Sequence, residues 1–288
     1  MYELTTNDFN LFLSLLKIYD QHQLKRLVTQ VMRSHYADNN IRETQHYTYI
    51  EGSIPIMLVA HCDTVCTAPV KEIGVLNSGD KTYIGITNKE QAPLGADDRA
   101  GIFIILKIIA NGYHPHILLT TDEEIGGLGA IAAADEIIAP DVKFILELDR
   151  MGSNDAAMYD CDNKKFKKLL VDYGFTPVNG TFSDICFFAP DWDIAAANLS
   201  VGYYHEHTPW EVVYPVDLEN TLYRVQSILD NADKFKYYDF EPTKTPFNPY
   251  AKLINSINLG PLDDGETLTI TKNKRKGKKK KKKNEYNF

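Results

Sequence analysis

Five short segments of this sequence present histidine and carboxylate side chains in groups that could bind cations. They are His61-Cys62-Asp63, Gly95-Ala96-Asp97-Asp98, Thr121-Asp122-Glu123-Glu124, Asp149-Arg150 and Tyr203-Tyr204-His205-Glu206-His207-Thr208. Each alone has an ordinary explanation. A His-x-Asp pair arises by chance, an acidic pair ahead of a helix serves its N-terminus and dipole, and two histidines in a loop can be surface residues. Their combination is informative because carboxylates collected at one place raise one another's pKa or destabilise the fold unless a cation answers them. A mixed set of His, Asp and Glu suits zinc, with manganese and cobalt as alternatives.

The elements around these segments imply that they meet. Ile56–Ala60, His116–Thr120, Phe144–Leu148 and Ile194–Asn198 are short apolar runs that read as buried strands, and the first three lead directly into His61, Thr121–Glu124 and Asp149. The fourth leads towards residues 203–208. Gly95–Asp98 stands before an apolar helix over Ala100–Ile109 that Asn111-Gly112 terminates. Further helices are expected around Gly127–Ala134, over Asn163–Tyr173, and from an Asp217 cap to Leu229. Earlier in the chain, Thr6 and Asn7 are candidate caps for a helix carrying Leu11, Phe12, Leu15, Leu16 and Ile18; a second stripe runs through Leu24, Leu27, Val28 and Val31. Tyr47–Ile50 and Tyr83–Ile86 read as further strands. Alternating strands and helices predict an α/β fold, three layers in α/β/α order around a mostly parallel mixed sheet. Ligands of open α/β sheets bind beyond the carboxyl ends of the strands, where the polar segments lie.

Composition limits the alternatives. With 288 residues, 44% hydrophobic and 24% charged, the chain matches an ordinary globular protein. No apolar run approaches the roughly 20 residues that span a bilayer. Neither a basic n-region nor a small-residue cleavage site marks a secretory signal. Cys62, Cys66, Cys161 and Cys186 contain no CxxC and no disulfide framework, which makes a reducing cytoplasm the expected location. Ten of the 31 Lys and Arg lie in residues 272–283 and 38 of the 39 acids precede them, so residues 1–271 carry 21 basic against 38 acidic groups. That body repels nucleic acid. The expected organisation is a catalytic domain over 1–234, a Pro-interrupted extension over 235–271, and a lysine-rich tail over 272–288 that cannot bury itself.

The motifs resemble those of the co-catalytic di-zinc exopeptidases, including bacterial leucyl aminopeptidases and peptidase T-like tripeptidases. The resemblance rests on Ala60-His-Cys-Asp-Thr-Val65, Leu94-Gly-Ala-Asp-Asp-Arg-Ala-Gly101, Thr121-Asp-Glu-Glu124, Glu147-Leu-Asp149 and His207-Thr-Pro-Trp-Glu211, and covers roughly residues 56–215 in the family's order. It implies a site holding two divalent metal ions. His61 and Asp149 would hold the first, Glu124 and His207 the second, and Asp97 would bridge them through a cis bond to Asp98. Asp63 would orient His61 from behind, and Glu123 would be the general base. The pattern admits exchanged roles for Glu123 and Glu124. His205 competes with His207, which is preferred because Thr follows it directly and Glu211 stands four positions on. Ser183-Asp184 falls where aminopeptidase relatives carry a Ser-Asp segment beside the pocket, so Asp184 is either a substrate contact or a helix cap.

The resemblance implies a hydrolase of the metallopeptidase kind, in which paired metals acidify a water and stabilise an oxyanion. Many relatives insert a lid domain between the Asp and final His segments. The 58 positions from Asp149 to His207 leave too little chain for one, which favours a single-domain aminopeptidase plan. Asp at 149 favours a short peptide with a free amine, cleaved by an aminopeptidase or di/tripeptidase, over an N-acyl amino acid cleaved by a deacylase. A third reading is a metal-stabilised binding protein anchored by its basic tail, which could touch nucleic acid or an anionic surface.

Overall fold

The computed structural model describes residues 4–79, 81–88 and 93–243. α1 (Thr6–Leu16) is capped by Thr5, one residue before the expected caps Thr6 and Asn7. Thr5 accepts from the Asp8 amide and the Asp8 carboxylate accepts from the Thr5 amide, a capping box that needs an acid three residues on and finds it only from Thr5. α2 (Gln21–Met32) buries Leu24, Val28 and Met32, while Leu27 and Val31 of the expected stripe are 48% and 45% exposed. The apolar face follows a strict four-residue step, which Leu27 and Val31 leave.

The chain continues through β1 (Ile41–Glu43), β2 (Tyr47–Ile50), β3 (Ile54–His61), β4 (Ile73–Ser78), β5 (Lys81–Ile86), α3 (Ala96–Ala110), β6 (Pro115–Thr120), α4 (Leu128–Glu136) and β7 (Ile145–Arg150). There follow β8 (Asp155–Met158), α5 (Lys164–Asp172), β9 (Thr176–Asn179), α6 (Ile185–Trp192), β10 (Ala196–Ser200), β11 (Tyr203–Tyr204), β12 (Val212–Val213) and α7 (Pro215–Leu229). The main sheet has the order β1-β2-β6-β3-β7-β10-β8-β9. Its centre, β6-β3-β7-β10, is parallel, and antiparallel pairs join β1, β2 and β8 to it. This is the expected mixed α/β sheet. Strand periodicity sends Ile56, Leu58 and Ala60 into one core with residues of α1, α2, α3, α5 and α7. Met57 and Val59 enter the opposite core with α4 and α6. Between Asp149 and His207 the chain builds only sheet strands, α5 and α6.

A second, antiparallel sheet of order β11-β12-β5-β4 stands beside the first. Its β11–β12 connection carries His207. β10 starts two residues later than expected, because the parallel register with β7 begins at Ala196↔Ile145. Asp217 does not cap α7: Tyr214 occupies that position, and Asp217 lies in the first turn accepting from the Tyr204 hydroxyl at 2.8 Å. Residues 235–243 pack back on the body, with Phe235, Tyr238 and Phe240 against the core and the Ala195 amide donating to the Tyr238 carbonyl at 2.8 Å. Expectations for 244–288, including the lysine-rich tail, lie outside the described residues. Among the described residues no helix is long and apolar enough to cross a membrane.

α3 approaches β7 so closely that Gly101 has no room for a side chain. A Cβ there would meet the Leu148 carbonyl oxygen at 2.1 Å and both Asp98 carboxylate oxygens at 2.6 Å. Gly101→Ala is therefore expected to destabilise the fold by about 3 kcal/mol, the upper end of ordinary overpacking. Urea unfolding measures it, and a loss below about 1 kcal/mol would contradict the close approach.

Candidate metal centre

Three neighbouring parallel strands deliver the first groups. β3 ends on His61, β6 runs into Thr121–Glu124, and β7 carries Asp149. Gly95–Asp98 enters α3 beside them, and the β11–β12 connection closes over the strand ends with His207. The structure thus brings His61, Asp97, Glu124, Asp149 and His207 together. Asp97 stands between the two histidines, with Oδ1 2.8 Å from His61 Nε2 and Oδ2 3.1 Å from His207 Nε2. His61 Nε2 is also 3.3 Å from Asp149 Oδ1, and His207 Nε2 is 2.9 Å from Glu124 Oε1.

Neighbouring side chains hold this arrangement. The Asp63 carboxylate lies 3.2 Å from His61 Nδ1 and accepts the Glu123 and Glu124 amides at 3.1 and 3.0 Å, so one acid orients a histidine and the turn bearing both glutamates. Fully buried Arg99 donates to the Asp63 carbonyl and to the Ile18 carbonyl. Glu211 accepts the Gly95 amide at 2.8 Å and the Asp97 amide at 3.1 Å, fixing the entry to α3. Gly95 takes φ +71 there, and a Cβ would crowd Cys66 Sγ at 3.1 Å. His207 itself has φ 61, a left-handed conformation rare for a non-glycine residue and concentrated at functional sites. Cys62 is buried in the core on the opposite side of its strand.

The paired acids divide by direction. Glu124 faces His207, whereas the Glu123 carboxyl makes no hydrogen bond among the described residues. The Asp98 carboxylate accepts the His61 amide at 3.2 Å and the Gly101 amide at 2.9 Å. The Asp97–Asp98 peptide bond is cis. The ring of His205 makes no hydrogen bond among the described residues, and its carbonyl accepts from the Thr208 hydroxyl at 2.7 Å. Asp184 occupies the N-cap position of α6 without capping it. Wholly buried, it accepts from the Thr120 hydroxyl on one oxygen and leaves the other unpartnered.

Asn198 and Tyr203 support the site without having been assigned a role from the sequence. Tyr203 donates to Asp149 Oδ1 at 3.2 Å, and Asn198 accepts the Asp149 amide and donates to its carbonyl, both at 2.9 Å. Ser183 donates to buried Glu147 and accepts from Asn198 at 3.0 Å. A lone Asn at the end of the run Ile194-Ala-Ala-Ala-Asn198 is the one sequence signal that could have pointed to this network. Tyr203 carried none.

Charge explains what the site can hold. Burial, followed by the charge of Asp97, pushes the Asp149 carboxyl up to about 7. Burial also pushes Asp184 and Glu211 up to about 7, and raises Glu123 well above the carboxylate range. Burial acts the same way on Asp97, but hydrogen bonds with His207 and His61 leave its carboxyl below the usual range. Hydrogen bonds to Asp97 and then Glu124 push the His207 imidazole up to about 11. Among the described residues no Lys or Arg forms an ion pair with Asp97, Glu123, Glu124 or Asp149. Donor atoms of His61, Asp97 and Glu124, and separately of His61, Asp98 and Asp149, lie within 4.8 Å of one another. This crowded, uncompensated His and carboxylate set fits divalent cations.

No protein-family model and no curated protein matches the sequence. Solved structures do share the fold. Aminopeptidase PepT from Bacillus cereus aligns at TM-score 0.60 and 14% identity, covering 78% of this chain and 98% of that one. A tripeptidase from Staphylococcus aureus gives 0.58 at 14%, covering 79% and 98%. An aminopeptidase from the archaeon Desulfurococcus kamchatkensis gives 0.56 at 15%, covering 82% and 99%. The architecture is therefore the α/β fold found in these peptidases. The likeness is one of fold, and it agrees with the architecture expected from the five motifs.

Asp63→Asn replaces an acceptor of two amides and one imidazole by a group with a single acceptor oxygen. It is expected to weaken metal binding by about 10–100-fold, the usual effect of removing a carboxylate behind a histidine ligand. Competition with a zinc indicator measures this, and unchanged affinity would remove Asp63 from that role.

Proposed function

We propose that the protein is a metal-dependent exopeptidase, an aminopeptidase or di/tripeptidase that hydrolyses short peptides with a free amino terminus. The observation that carries the reading is the division of labour between adjacent glutamates. Glu124 joins the converged histidine and carboxylate set, while the carboxyl of Glu123 beside it makes no hydrogen bond among the described residues. His61, Asp97, Glu124, Asp149 and His207 are the residues we assign to a pair of divalent ions, zinc by preference, with Asp97 shared. Bound there, such ions supply Lewis acidity and lower the pKa of a water towards neutrality.

The remaining roles belong to the chain. Glu123 accepts the proton of the attacking water and returns it to the leaving amine, as general-base catalysis requires. Asp63 holds the His61 ring and the glutamate turn in register. Tyr203 and Asn198 fix Asp149 from behind. Asp184, wholly buried, acts through its neighbour: its charge adds to the forces that raise Glu123. Four free cysteines favour a reducing, cytoplasmic location.

Aminoacyl-nitroanilides and di- and tripeptides, assayed with added zinc, manganese or cobalt, test the reading. Turnover of the free-amine substrates is the expected result. Cleavage of N-acyl amino acids alone would replace it with the deacylase reading. Fewer than two ions per chain in zinc-replete protein would overturn the paired site.

A further inference from the structure

The amino-terminal half of α2 and the turn between β1 and β2 border an open cavity of about 320 Å3, lined by His22, Lys25, Arg26, Glu43, Thr44 and Gln45. None of these residues belongs to the metal centre. A single water needs only about 10–15 Å3 of such space, so the cavity is ample for a small oxyanion. Two observations separate it from an ordinary solvated helix surface.

The first is Lys25. It is only 3% exposed, and its ammonium donates to the Thr44 carbonyl and to no carboxylate among the described residues. An ammonium has three donors; burial disfavours its charge, and Glu43 favours it through space without a hydrogen bond to it among the described residues. The second is the balance of charge. Glu43, the cavity's carboxylate, is engaged by Arg33 at 3.2 Å. Arg33 does not line the cavity, so Lys25 and Arg26 face it with more positive charge than Glu43 answers. This occurs on a chain whose first 271 residues carry a large surplus of acid.

We propose that this cavity binds a small oxyanion of the phosphate type. Lys25 meets it from the buried side, and Arg26 and His22 meet it from successive turns of α2. Asp20 already satisfies the Gln23 amide at 2.6 Å, so the site rests on side chains and not on the free helix end. Its walls lead to the metal centre. Gln21, beside His22, exchanges two hydrogen bonds with Asp122 at 2.7 and 3.0 Å. His46, beside Gln45, accepts from the Thr121 amide and hydroxyl, both at 3.0 Å. An anion in the cavity is thereby linked to the turn that presents Glu123 and Glu124.

Titration calorimetry of the full chain with inorganic phosphate, at constant ionic strength in chloride, tests the proposal by binding alone and does not depend on peptidase activity. Saturable millimolar binding is expected. Arg26→Gln, at an exposed position, should weaken it by about tenfold, the factor that losing one charge-assisted hydrogen bond gives. Glu43→Gln should tighten it, an outcome that mere structural damage would not produce. Lys25→Gln should abolish it, and its circular dichroism separates lost binding from lost folding. Lys168→Gln, whose lysine among the described residues pairs with Asp172, should leave it unchanged. The lysine-rich run 272–283 is common to all variants and cancels in the comparison. Absence of saturation, equal responses of the Arg26 and Lys168 variants, or no tightening in Glu43→Gln would each overturn the assignment.

Discussion

Replacing Glu123 by glutamine is expected to lower kcat for aminoacyl-nitroanilide hydrolysis by about 10²–10⁴-fold, the range that a general acid–base contributes, while leaving two ions bound. The carboxyl of Glu123 makes no hydrogen bond among the described residues, so an amide of the same shape breaks no bond. Its backbone stays anchored because the Asp63 carboxylate accepts its amide at 3.1 Å. Thermal stability should accordingly be unaffected. Glu124→Gln should behave differently: Glu124 faces His207 at 2.9 Å, and its loss should reduce bound metal together with activity. The pair of variants thus resolves the exchange of roles that the sequence admits. If Glu123→Gln keeps more than about a tenth of kcat, a loss far short of the acid–base range, the base lies elsewhere. If metal leaves with it, Glu123 is a ligand.

What the sequence disclosed follows from how each feature is encoded. Central strands such as β3 and β7 are buried on both faces and stand out as continuous apolar runs. The polar residues at their ends were legible for the same reason: an abrupt change from Leu-Val-Ala to His-Cys-Asp marks where a strand leaves the core. Peripheral elements were hidden. β8 and β9 have four residues each, too few to display alternation, and β9 contains Pro177. α6 spans eight residues with Pro190 inside, and β11 and β12 are two-residue strands defined only by their partners. The site's supports were hidden in another way. Asn198 and Tyr203 act through contacts 49 and 54 positions away, which no local spacing encodes. Asp184 shows the limit of position alone, since a place beside the pocket in the motif order became a wholly buried carboxylate.

The largest effect on the metal is expected from Asp97→Asn, and its contrast with Asp98→Asn discriminates between adjacent, equally acidic residues. Donor distances alone leave room for either acid, because His61 and Asp149 group with Asp98 as readily as His61 and Glu124 group with Asp97. The hydrogen bonds favour Asp97. Both Asp97 oxygens face imidazole nitrogens, one on each side, whereas both Asp98 oxygens are occupied by the His61 and Gly101 amides. An asparagine at 97 offers a single neutral acceptor where two histidines converge. It should weaken metal binding beyond the roughly 100-fold that loss of an outer carboxylate brings. Zinc at 100 times its dissociation constant stabilises the wild type by about 2.7 kcal/mol, so the variant should lose that zinc-dependent gain in Tm. An asparagine at 98 directs an amide N–H at a backbone donor and forfeits one buried hydrogen bond, a cost of about 1–3 kcal/mol to folding. The ions and their effect on Tm should survive it. Metal analysis and melting curves with and without zinc read both outcomes. Two ions retained in Asp97→Asn but lost in Asp98→Asn would move the shared carboxylate from one residue to the next.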